Sequence, residues 1–191
     1  LTHTSGLTYG FLYADAVDDL YRRAGFEMGV GQDQPLAEVC DRYAALPLVF
    51  QPGTSWNYSV ATDVLGRIIE IASGMKLDDF LWKKILEPLG MHDTVFGVSP
   101  DKHHRLAALY GVKESTNKLV RADSLGNAAK SMPVYLSGGG GLISTAFDYF
   151  LFLQMLANRG VLGDVRLLSP ASIDLMTMNH LPNNQDVSTF G

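Results

Sequence analysis

The segment that decides how this chain folds is Phe50-Gln51-Pro52-Gly53-Thr54-Ser55-Trp56-Asn57-Tyr58-Ser59. Its Pro52-Gly53 pair predicts a tight turn, because proline fixes φ at the first central position and glycine accepts a positive φ at the second. Ser59 is a good N-cap for the apolar-periodic run that begins at Val60. Tyr58 is therefore expected at the end of a loop, just before a helix, where its phenol is held from both sides. The residues alone also allow a plain hydrophobic anchor at a helix start.

The composition is that of an ordinary globular protein. The chain has 191 residues, 47% of them hydrophobic and 18% charged, so it can bury a core as one domain or as two small lobes. The net charge of −5, without a basic run, gives no reason to expect a nucleic-acid partner. No stretch reaches the roughly 18 uninterrupted apolar residues of a membrane helix, so no membrane span is expected in this chain.

The chain has a single cysteine, Cys40. Cys40 excludes an internal disulfide and leaves the cellular compartment open. It shares an apolar helical face with Leu36, Val39 and Tyr43, so it is assigned to the core.

The chain starts without methionine, and its last residues, 188–191, resemble the beginning of a strand. Both ends therefore look cut.

Apolar residues spaced three and four apart predict that most of the regular structure is helical. Gly74 is placed to end the strongest helix in the left-handed conformation. Ser144 and Ser169 are the expected N-caps of two later helices. A small hairpin is expected from residues 106–112 and 118–122. The predicted helices cover residues 14–23, 35–45, 60–73, 77–86, 147–158 and 170–178.

The four-glycine run Gly138–Gly141 resembles a phosphate-binding loop only superficially. It lacks the Gly-Lys-Ser/Thr ending of a P-loop and the order of a dinucleotide fingerprint, so a close-approach loop between a strand and a helix is the better interpretation. The five histidines are dispersed and lack the spacing of a zinc site, so no metal or other cofactor is expected. No Gly-x-Ser-x-Gly elbow occurs, which excludes an α/β-hydrolase.

Ser-x-x-Lys, a catalytic spacing, occurs twice in this chain. The chemistry needs serine and lysine one turn apart on a buried helix, so that the amine faces the hydroxyl. Ser73 closes a helix instead, and the glycine after it would break the turn that must bring Lys76 back. Ser115, with Lys118, is expected at the polar tip of the hairpin. Both are interpreted as chance matches.

Four motifs, in order and spacing, resemble the serine β-lactamase-like superfamily, which includes class C β-lactamases, D-alanyl-D-alanine carboxypeptidases, family VIII carboxylesterases and related acyltransferases. The resemblance covers residues 1 to about 180. It implies a predominantly α chain with a small β-hairpin, a single fragment over residues 1–191. That fragment would be the central, mostly helical lobe of an α+β fold, with the flanking α/β sheet segments largely absent. The motifs are His3-Thr4-Ser5-Gly6-Leu7, Phe50-x-Pro52-Gly53-x-x-Trp56-x-Tyr58-Ser59, Glu87-Pro88-Leu89-Gly90-Met91 and Gly140-Gly141-Leu142-x-Ser144-Thr145-x-x-Asp148.

The resemblance also implies roles for particular positions. Tyr58 matches the catalytic tyrosine of the family's Tyr-x-Asn motif, whereas Val60 stands where that motif has asparagine. An apolar residue there would remove an amide contact to substrate and make the pocket wall apolar, which favours an esterase or acyltransferase over a β-lactamase. The aromatic segment 9–26 resembles the variable insert that walls the pocket in the esterase branch. The family's catalytic Ser-x-x-Lys would precede Leu1, and its third motif would follow Gly191.

The implied function is that of a serine hydrolase, most simply a carboxylesterase or acyltransferase, that works through an acyl-serine intermediate on a small-molecule ester or amide. A free phenol titrates near pH 10 and becomes a useful base only beside an ammonium group, which no lysine of this chain is placed to supply. The alternatives are a β-lactamase or D-alanyl-D-alanine carboxypeptidase, and a non-catalytic binding domain. An esterase would favour the cytoplasm, and a β-lactamase or peptidase the periplasm or secretion; the oligomeric state stays open.

Overall fold

Helices account for most of the regular structure in the computed structural model, which describes residues 2–13, 15–27, 33–113 and 115–187. The predominantly α class is therefore confirmed. The strands of the two short hairpins are β1 (Tyr110–Lys113), β2 (Lys118–Arg121), β3 (Val161–Leu162) and β4 (Val165–Arg166). The helices are α1 (Ala16–Arg23), α2 (Leu36–Ala44), α3 (Ala61–Ser73), α4 (Leu77–Leu81), α5 (Asp123–Ala128), α6 (Ala146–Ala157) and α7 (Pro170–Met176).

The helix after the Pro52-Gly53 segment forms one residue later than predicted. The predicted N-cap was wrong by one residue: Val60 holds that position without a side-chain capping bond, and Ser59 Oγ accepts a hydrogen bond from the N–H of Ala61 at 3.3 Å. Gly74 ends the helix in the left-handed conformation, with φ 68° and its N–H donating to the carbonyl of Glu70. The predicted end of α3 is therefore confirmed.

The predicted helix over residues 77–86 changes type along its length. It starts as α4, then continues as a π-helical turn over Trp82–Leu86. The N–H of Glu87 reaches back five residues to the carbonyl of Trp82. Periodicity at 3.6 residues cannot distinguish such a widened turn from an ordinary α-helix.

The predicted N-cap of α6 was wrong by one residue. Thr145, not Ser144, caps the helix, and its Oγ1 accepts a hydrogen bond from the N–H of Asp148 at 3.1 Å. The hydroxyl of Ser144 instead shares a 2.7 Å hydrogen bond with that of Thr94. The buried carboxylate of Asp148 also accepts from Thr94 Oγ1 at 2.9 Å, so long-range contacts decide which hydroxyl becomes the cap.

The predicted hairpin forms with shorter strands. In β1–β2, Tyr110 lies opposite Arg121 and Lys113 lies opposite Lys118. Residues 106–109 precede the first strand and follow a 3₁₀-helix at Pro100–Arg105. The second hairpin, β3–β4, was not predicted, because two-residue strands leave no alternation to detect.

The described residues bury two apolar cores. The larger core is formed by Tyr9, Tyr21, Phe26, Leu36, Val39, Tyr43, Val60, Leu77, Phe96, Tyr135 and Leu136. Cys40 packs against it as predicted, and burial raises the pKa of its thiol to about 11. The smaller core, formed by Leu86, Leu89, Met91 and Met155, joins α6 to the segment after the π-helical turn. The strand expected to start at residues 188–191 lies outside the described residues.

Candidate functional site

Residues 3–7 lie across the loop that carries Tyr58 and hold it by backbone hydrogen bonds. The carbonyl oxygens of His3, Thr4 and Gly6 accept from the N–H groups of Asn57 (2.8 Å), Gly53 (2.7 Å) and Val49 (2.8 Å) respectively. The side-chain amide of Asn57 adds a bond to the carbonyl of Leu7 at 3.0 Å. Two motifs that are about 50 residues apart in sequence therefore form one rigid mount.

Glycines permit the two tight points of this mount. Thr54 N–H donates to the carbonyl of Gln51 at 3.1 Å, which closes the predicted turn, and Gly53 has φ 85° at its second central position. Gly6 has φ 82°, and a Cβ there would overlap the carbonyl oxygen of Phe50. A side chain at Gly6 would therefore push the two segments apart.

The ring of Tyr58 lies at the centre of a row of aromatic side chains. Its centroid is 5.0 Å from that of His3 on one side and 5.3 Å from that of Tyr9 on the other. The row extends to Trp56, 6.1 Å beyond His3, and to Phe11, 4.9 Å beyond Tyr9. Tyr58 is 45% exposed, whereas Tyr9 is 8% exposed. Tyr58 is thus oriented by its neighbours while one side of its phenol stays open to solvent.

The histidine of this row is shifted toward its neutral form. Burial lowers the pKa of His3, and its Nδ1 lies 3.3 Å from the hydroxyl of Ser59. His3 therefore packs against the Tyr58 ring and orients it without supplying a positive charge.

A buried carboxylate lies behind Tyr9. Asp63, in the first turn of α3, is 1% exposed, and its Oδ1 accepts from the hydroxyl of Ser137 at 2.6 Å and from the N–H of Gly139 at 3.3 Å. Its negative charge also contributes, after burial, to raising the pKa of Tyr9. Asp63 thus links the tyrosine row to the glycine-rich loop.

The loop Gly138–Gly141 makes the close approach that was predicted. A Cβ at Gly138 would overlap the carbonyl oxygen of Thr62, so α3 and the loop can touch only at a glycine. The N–H groups of Gly139 and Gly140 both donate to Ser137 Oγ, at 3.2 and 3.1 Å, and are therefore not free to bind a phosphate. The expected strand before the loop is absent from the described residues; a single bridge pairs Val95 with Ile143 after it.

Val60 does not lie where the sequence-based argument placed it. It is 0% exposed and belongs to the larger core, so it offers no surface to a substrate. The expectation that Val60 forms an apolar wall of the substrate pocket is corrected accordingly. The core requires an apolar side chain at this position, which explains the valine without reference to a substrate.

The two Ser-x-x-Lys matches lack the geometry of a nucleophile and its base. Ser73 Oγ donates to the carbonyl of Ile69 at 2.7 Å and accepts from Met75 N–H at 3.2 Å, so backbone groups occupy this hydroxyl. Lys76 follows the left-handed residue that ends α3 and is exposed. Ser115 is exposed in the turn between β1 and β2. Neither serine lies on a buried helical face with its lysine.

A cavity of about 680 Å³ is lined mainly by residues of the segments 92–109, 126–129 and 143–145 and does not include Tyr58. Its walls include the apolar residues Val98 and Ile143 and the cations Lys102 and Arg105. Both cations pair with Asp93, at 2.6 and 2.7 Å, and hydrogen bonds from them lower the pKa of that carboxyl. Within the part of the chain that the structure describes, no three metal-binding side chains cluster, and no helix is long and apolar enough to cross a membrane.

Sequence reasoning singled out Tyr58 but neither Tyr9, whose ring lies beside it, nor Asp63, which lies behind Tyr9. In the sequence, Asp63 resembles any acidic residue in the first turn of a helix, and Tyr9 is one of several aromatic residues in a variable segment. A carboxylate within the apolar-periodic run of α3 was the available signal, since such a residue must find partners if it is buried.

The chain has a helical core and a half-exposed tyrosine just before a helix, and that tyrosine lies against a His-Thr-Ser-Gly segment. These features define the serine β-lactamase-like class. The beta-lactamase family model matches residues 1–190, and the chain belongs to this family.

Curated relatives extend well beyond the chain. Protein Rv1367c of Mycobacterium tuberculosis is 40% identical over 190 residues, which are 100% of this chain and 45% of that protein. Esterase EstB of Burkholderia gladioli is 33% identical over 176 residues, 85% of this chain and 44% of the relative. The chain therefore spans less than half the length of the curated relatives it matches.

Solved structures share the fold. The LovD6 mutant of simvastatin synthase from Aspergillus terreus is 31% identical with a TM-score of 0.75, over 98% of this chain and 41% of that one. EstCE1, described as a hydrolase with promiscuous acyltransferase activity, is 27% identical with a TM-score of 0.77, over 94% of this chain and 49% of that one. The homologues of this chain thus include esterases and acyltransferases of the beta-lactamase fold.

Proposed function

We propose that the protein containing this chain is a carboxylesterase or acyltransferase that works through an acyl-serine intermediate, with Tyr58 as its general base. The observation that carries the proposal is the mount of Tyr58. Tyr58 is 45% exposed, backbone bonds hold its loop, and the rings of His3 and Tyr9 flank it. In the sequence it matches the tyrosine of the family's motif. A general base must be both accessible and oriented, and this side chain meets both conditions.

In the proposed mechanism, the nucleophile is the serine of a Ser-x-x-Lys motif outside residues 1–191. The lysine ammonium stabilises the Tyr58 phenolate. The phenolate oxygen takes the proton of the serine hydroxyl while the serine oxygen attacks the ester carbonyl carbon. The tetrahedral intermediate then collapses, the alcohol leaves, and Tyr58 returns the proton to the departing alkoxide. The products of this half-reaction are an acyl-serine and a free alcohol.

The second half-reaction separates an esterase from an acyltransferase. Tyr58 takes a proton from water or from a second alcohol, whose oxygen attacks the carbonyl carbon of the acyl-serine. Tyr58 then returns that proton to the serine oxygen as its bond to the acyl group breaks, and a carboxylic acid or a new ester is released. The name of EstB supports hydrolysis, and the description of EstCE1 includes both hydrolysis and acyl transfer. The substrate class proposed for this chain is therefore a small-molecule ester.

The test is hydrolysis of p-nitrophenyl acetate by the full-length protein, with and without an added alcohol acceptor. We expect release of p-nitrophenol by the full-length protein and none by residues 1–191 alone, provided that circular dichroism shows the shorter chain to be folded. Turnover by residues 1–191 would contradict an external nucleophile. An inert full-length protein would contradict the proposed activity.

The family match itself favours a second candidate, a β-lactamase or D-alanyl-D-alanine carboxypeptidase. Nitrocefin turnover by the full-length protein, or a stable penicillin adduct detected by mass spectrometry, would favour this candidate over the esterase. A protein that neither turns over an ester nor reacts with a β-lactam would be a non-catalytic member of the family.

A further inference from the structure

We propose that His3 is a positioning residue for Tyr58: its imidazole, hydrogen-bonded to Ser59, closes one side of the Tyr58 ring and fixes the direction in which the phenol points. The inference rests on the proposed role of Tyr58 as general base. It goes beyond the backbone mount, because it assigns to the His3 side chain a function that the His3 carbonyl does not supply. A variant that keeps one function and removes the other can therefore test it.

The backbone of His3 has an unfavourable conformation. Its φ is 56°, in the left-handed region, where a residue with a side chain is strained and glycine is not. In this conformation its carbonyl oxygen accepts the 2.8 Å hydrogen bond from the N–H of Asn57. His3 is half-buried, whereas the other non-glycine residues with positive φ in the described part of the chain are exposed: Asn117, Arg159, Asn183 and Asn184.

Glycine at position 3 would meet the backbone requirement at lower cost. It would adopt the same φ without strain and would offer the same carbonyl oxygen to Asn57. Strain of this kind persists where the surrounding contacts outweigh it, and it is concentrated at functional sites. The histidine is therefore explained by what its side chain contacts.

The imidazole of His3 lies between two aromatic rings. Its centroid is 5.0 Å from that of Tyr58 at an interplanar angle of 47°, and 6.1 Å from that of Trp56 at 71°. Both distances fall in the range in which aromatic pairs attract one another. The ring of Tyr9 lies 5.3 Å from the Tyr58 ring, so the Tyr58 ring is held between the imidazole and Tyr9.

A hydrogen bond fixes the imidazole itself. Its Nδ1 lies 3.3 Å from Oγ of Ser59, and the two atoms share a hydrogen bond. Ser59 is 0% exposed, and the same oxygen accepts from the N–H of Ala61, the first residue of α3. The imidazole is thus tied to the residue that follows Tyr58 and to the start of the helix.

Removing the imidazole would free the Tyr58 side chain without releasing its loop. Tyr58 is 45% exposed, so protein atoms restrain its ring only in part, and the imidazole is one of the groups that do so. The backbone bonds from residues 3–7 to the loop would remain. A reacting group misplaced by about 1 Å loses rate sharply, and the loss appears in kcat when the interaction is made only in the transition state.

The experiment compares His3→Gly with the wild type in the full-length protein, on p-nitrophenyl acetate at a fixed pH. Glycine keeps the left-handed backbone and the carbonyl bond to Asn57 and removes only the imidazole. We expect kcat to fall about tenfold with KM unchanged. The thermal unfolding midpoint should stay within about 3 °C of the wild type, because relief of the backbone strain offsets the lost contacts. A purely structural role would lower the midpoint and leave kcat of the folded protein in place.

Two further variants sharpen the comparison. His3→Asn tolerates the left-handed backbone and keeps a polar atom close to the place of Nδ1, so it should recover part of the lost kcat. His92→Ala is the matched control, because the His92 ring also packs on an aromatic side chain, that of Trp82, with centroids 6.0 Å apart. Its kcat should equal that of the wild type.

Wild-type kcat in His3→Gly, or an equal loss in His92→Ala, would overturn the inference. If His3→Gly fails to fold, His3→Asn decides: a partial loss of kcat supports the inference, and wild-type kcat overturns it. In a Tyr58→Phe background, His3→Gly should cause no further loss, because it acts through the Tyr58 hydroxyl; a second tenfold loss would overturn the inference.

Tyr58→Phe by itself separates the two proposals. Full activity in Tyr58→Phe would remove the general base and this inference together. A strongly impaired Tyr58→Phe beside a His3→Gly variant with wild-type kcat would remove only this inference.

Discussion

Tyr58 and Tyr110 are both exposed tyrosines, and they are held in different ways. Tyr58 is 45% exposed, and its loop is bound by backbone groups of residues 3–7, about 50 residues earlier in the sequence. Tyr110 is 62% exposed on β1, and among the described strands β1 pairs with the neighbouring β2 alone. The first tyrosine is part of a long-range assembly, and the second belongs to a local hairpin.

The difference teaches where a reactive side chain can reside. A local hairpin opens at little cost to the rest of the chain, so its side chains sample many positions. The Tyr58 loop cannot move without breaking hydrogen bonds to residues 3–7 and separating the Tyr58 ring from those of His3 and Tyr9. Accessibility alone is common to both tyrosines; fixed orientation distinguishes the proposed base.

The largest expected effect comes from deleting the hydroxyl group of Tyr58, with the hydroxyl group of Tyr110 as the comparison. Tyr58→Phe should lower kcat/KM for p-nitrophenyl acetate by about 10²–10⁴-fold, the usual contribution of a general base, while the unfolding transition stays close to that of the wild type. Tyr110→Phe should leave kcat/KM unchanged. Steady-state kinetics and thermal unfolding of the full-length variants check both statements, and equal effects in the two variants would erase the contrast.

The next effect is on stability, through the carboxylate behind the Tyr58 row. Asp63→Ala should reduce the free energy of unfolding by about 3 kcal/mol, because the buried Ser137 hydroxyl and Gly139 N–H lose a charged acceptor. Asp123→Ala is the control: its partner is Arg121 and both side chains are more than half exposed, so the expected loss is below about 1 kcal/mol. Urea unfolding measures both. A similar small loss for Asp63→Ala would mean that the cluster contributes little to the mount.

Gly6 and Gly53 have nearly the same backbone conformation, so comparing them measures how much the contact between the two segments of the mount contributes to stability. Gly6→Ala should destabilise the protein by about 2–3 kcal/mol, since it combines a positive φ with overlap on the Phe50 carbonyl. Gly53 has nearly the same φ and nothing within 4 Å of its missing Cβ, so Gly53→Ala should cost only about 1 kcal/mol. The difference between the two, measured by urea unfolding, isolates the contact between the segments. Equal costs would show that conformation alone matters.

The smallest effect is expected in the hairpin. Leu119→Thr, at a strand residue that is 73% exposed, should change the free energy of unfolding by less than about 0.5 kcal/mol and leave ester hydrolysis unaltered. A change in kcat/KM would indicate that the hairpin participates in the site after all. The esterase assay and urea unfolding used for the other variants apply here as well.

Local signals predicted those features whose cause is local. The helices at α1–α3, α6 and α7 follow from apolar spacing, and the C-terminal end of α3 follows from Gly74. The Pro52-Gly53 turn follows from the conformations that its two residues allow. Tyr58 was singled out because such a turn and a helix start fix the residue between them.

Features that depend on distant partners could not be predicted in this way. Which of Ser144 and Thr145 caps α6 depends on Thr94, some 50 residues earlier. Val60 was expected in a substrate pocket because of its place in a motif, but its side chain packs into the larger core. A side chain at the first turn of a helix can face either the core or a substrate pocket, and its place in the sequence pattern alone does not decide which.

The sequence by itself determined the helical class, the tight turn, the membership in a family and the tyrosine at position 58, because each depends on residues close together along the chain or on a motif read in order. Only the tertiary structure decided that residues 3–7 hold the Tyr58 loop, that Tyr9 and Asp63 lie behind it, and that Val60 is in the core. The physical reason is that hydrogen bonds and ring contacts between segments some 50 residues apart form only when tertiary packing brings the segments together. Local sequence propensities do not predict such contacts.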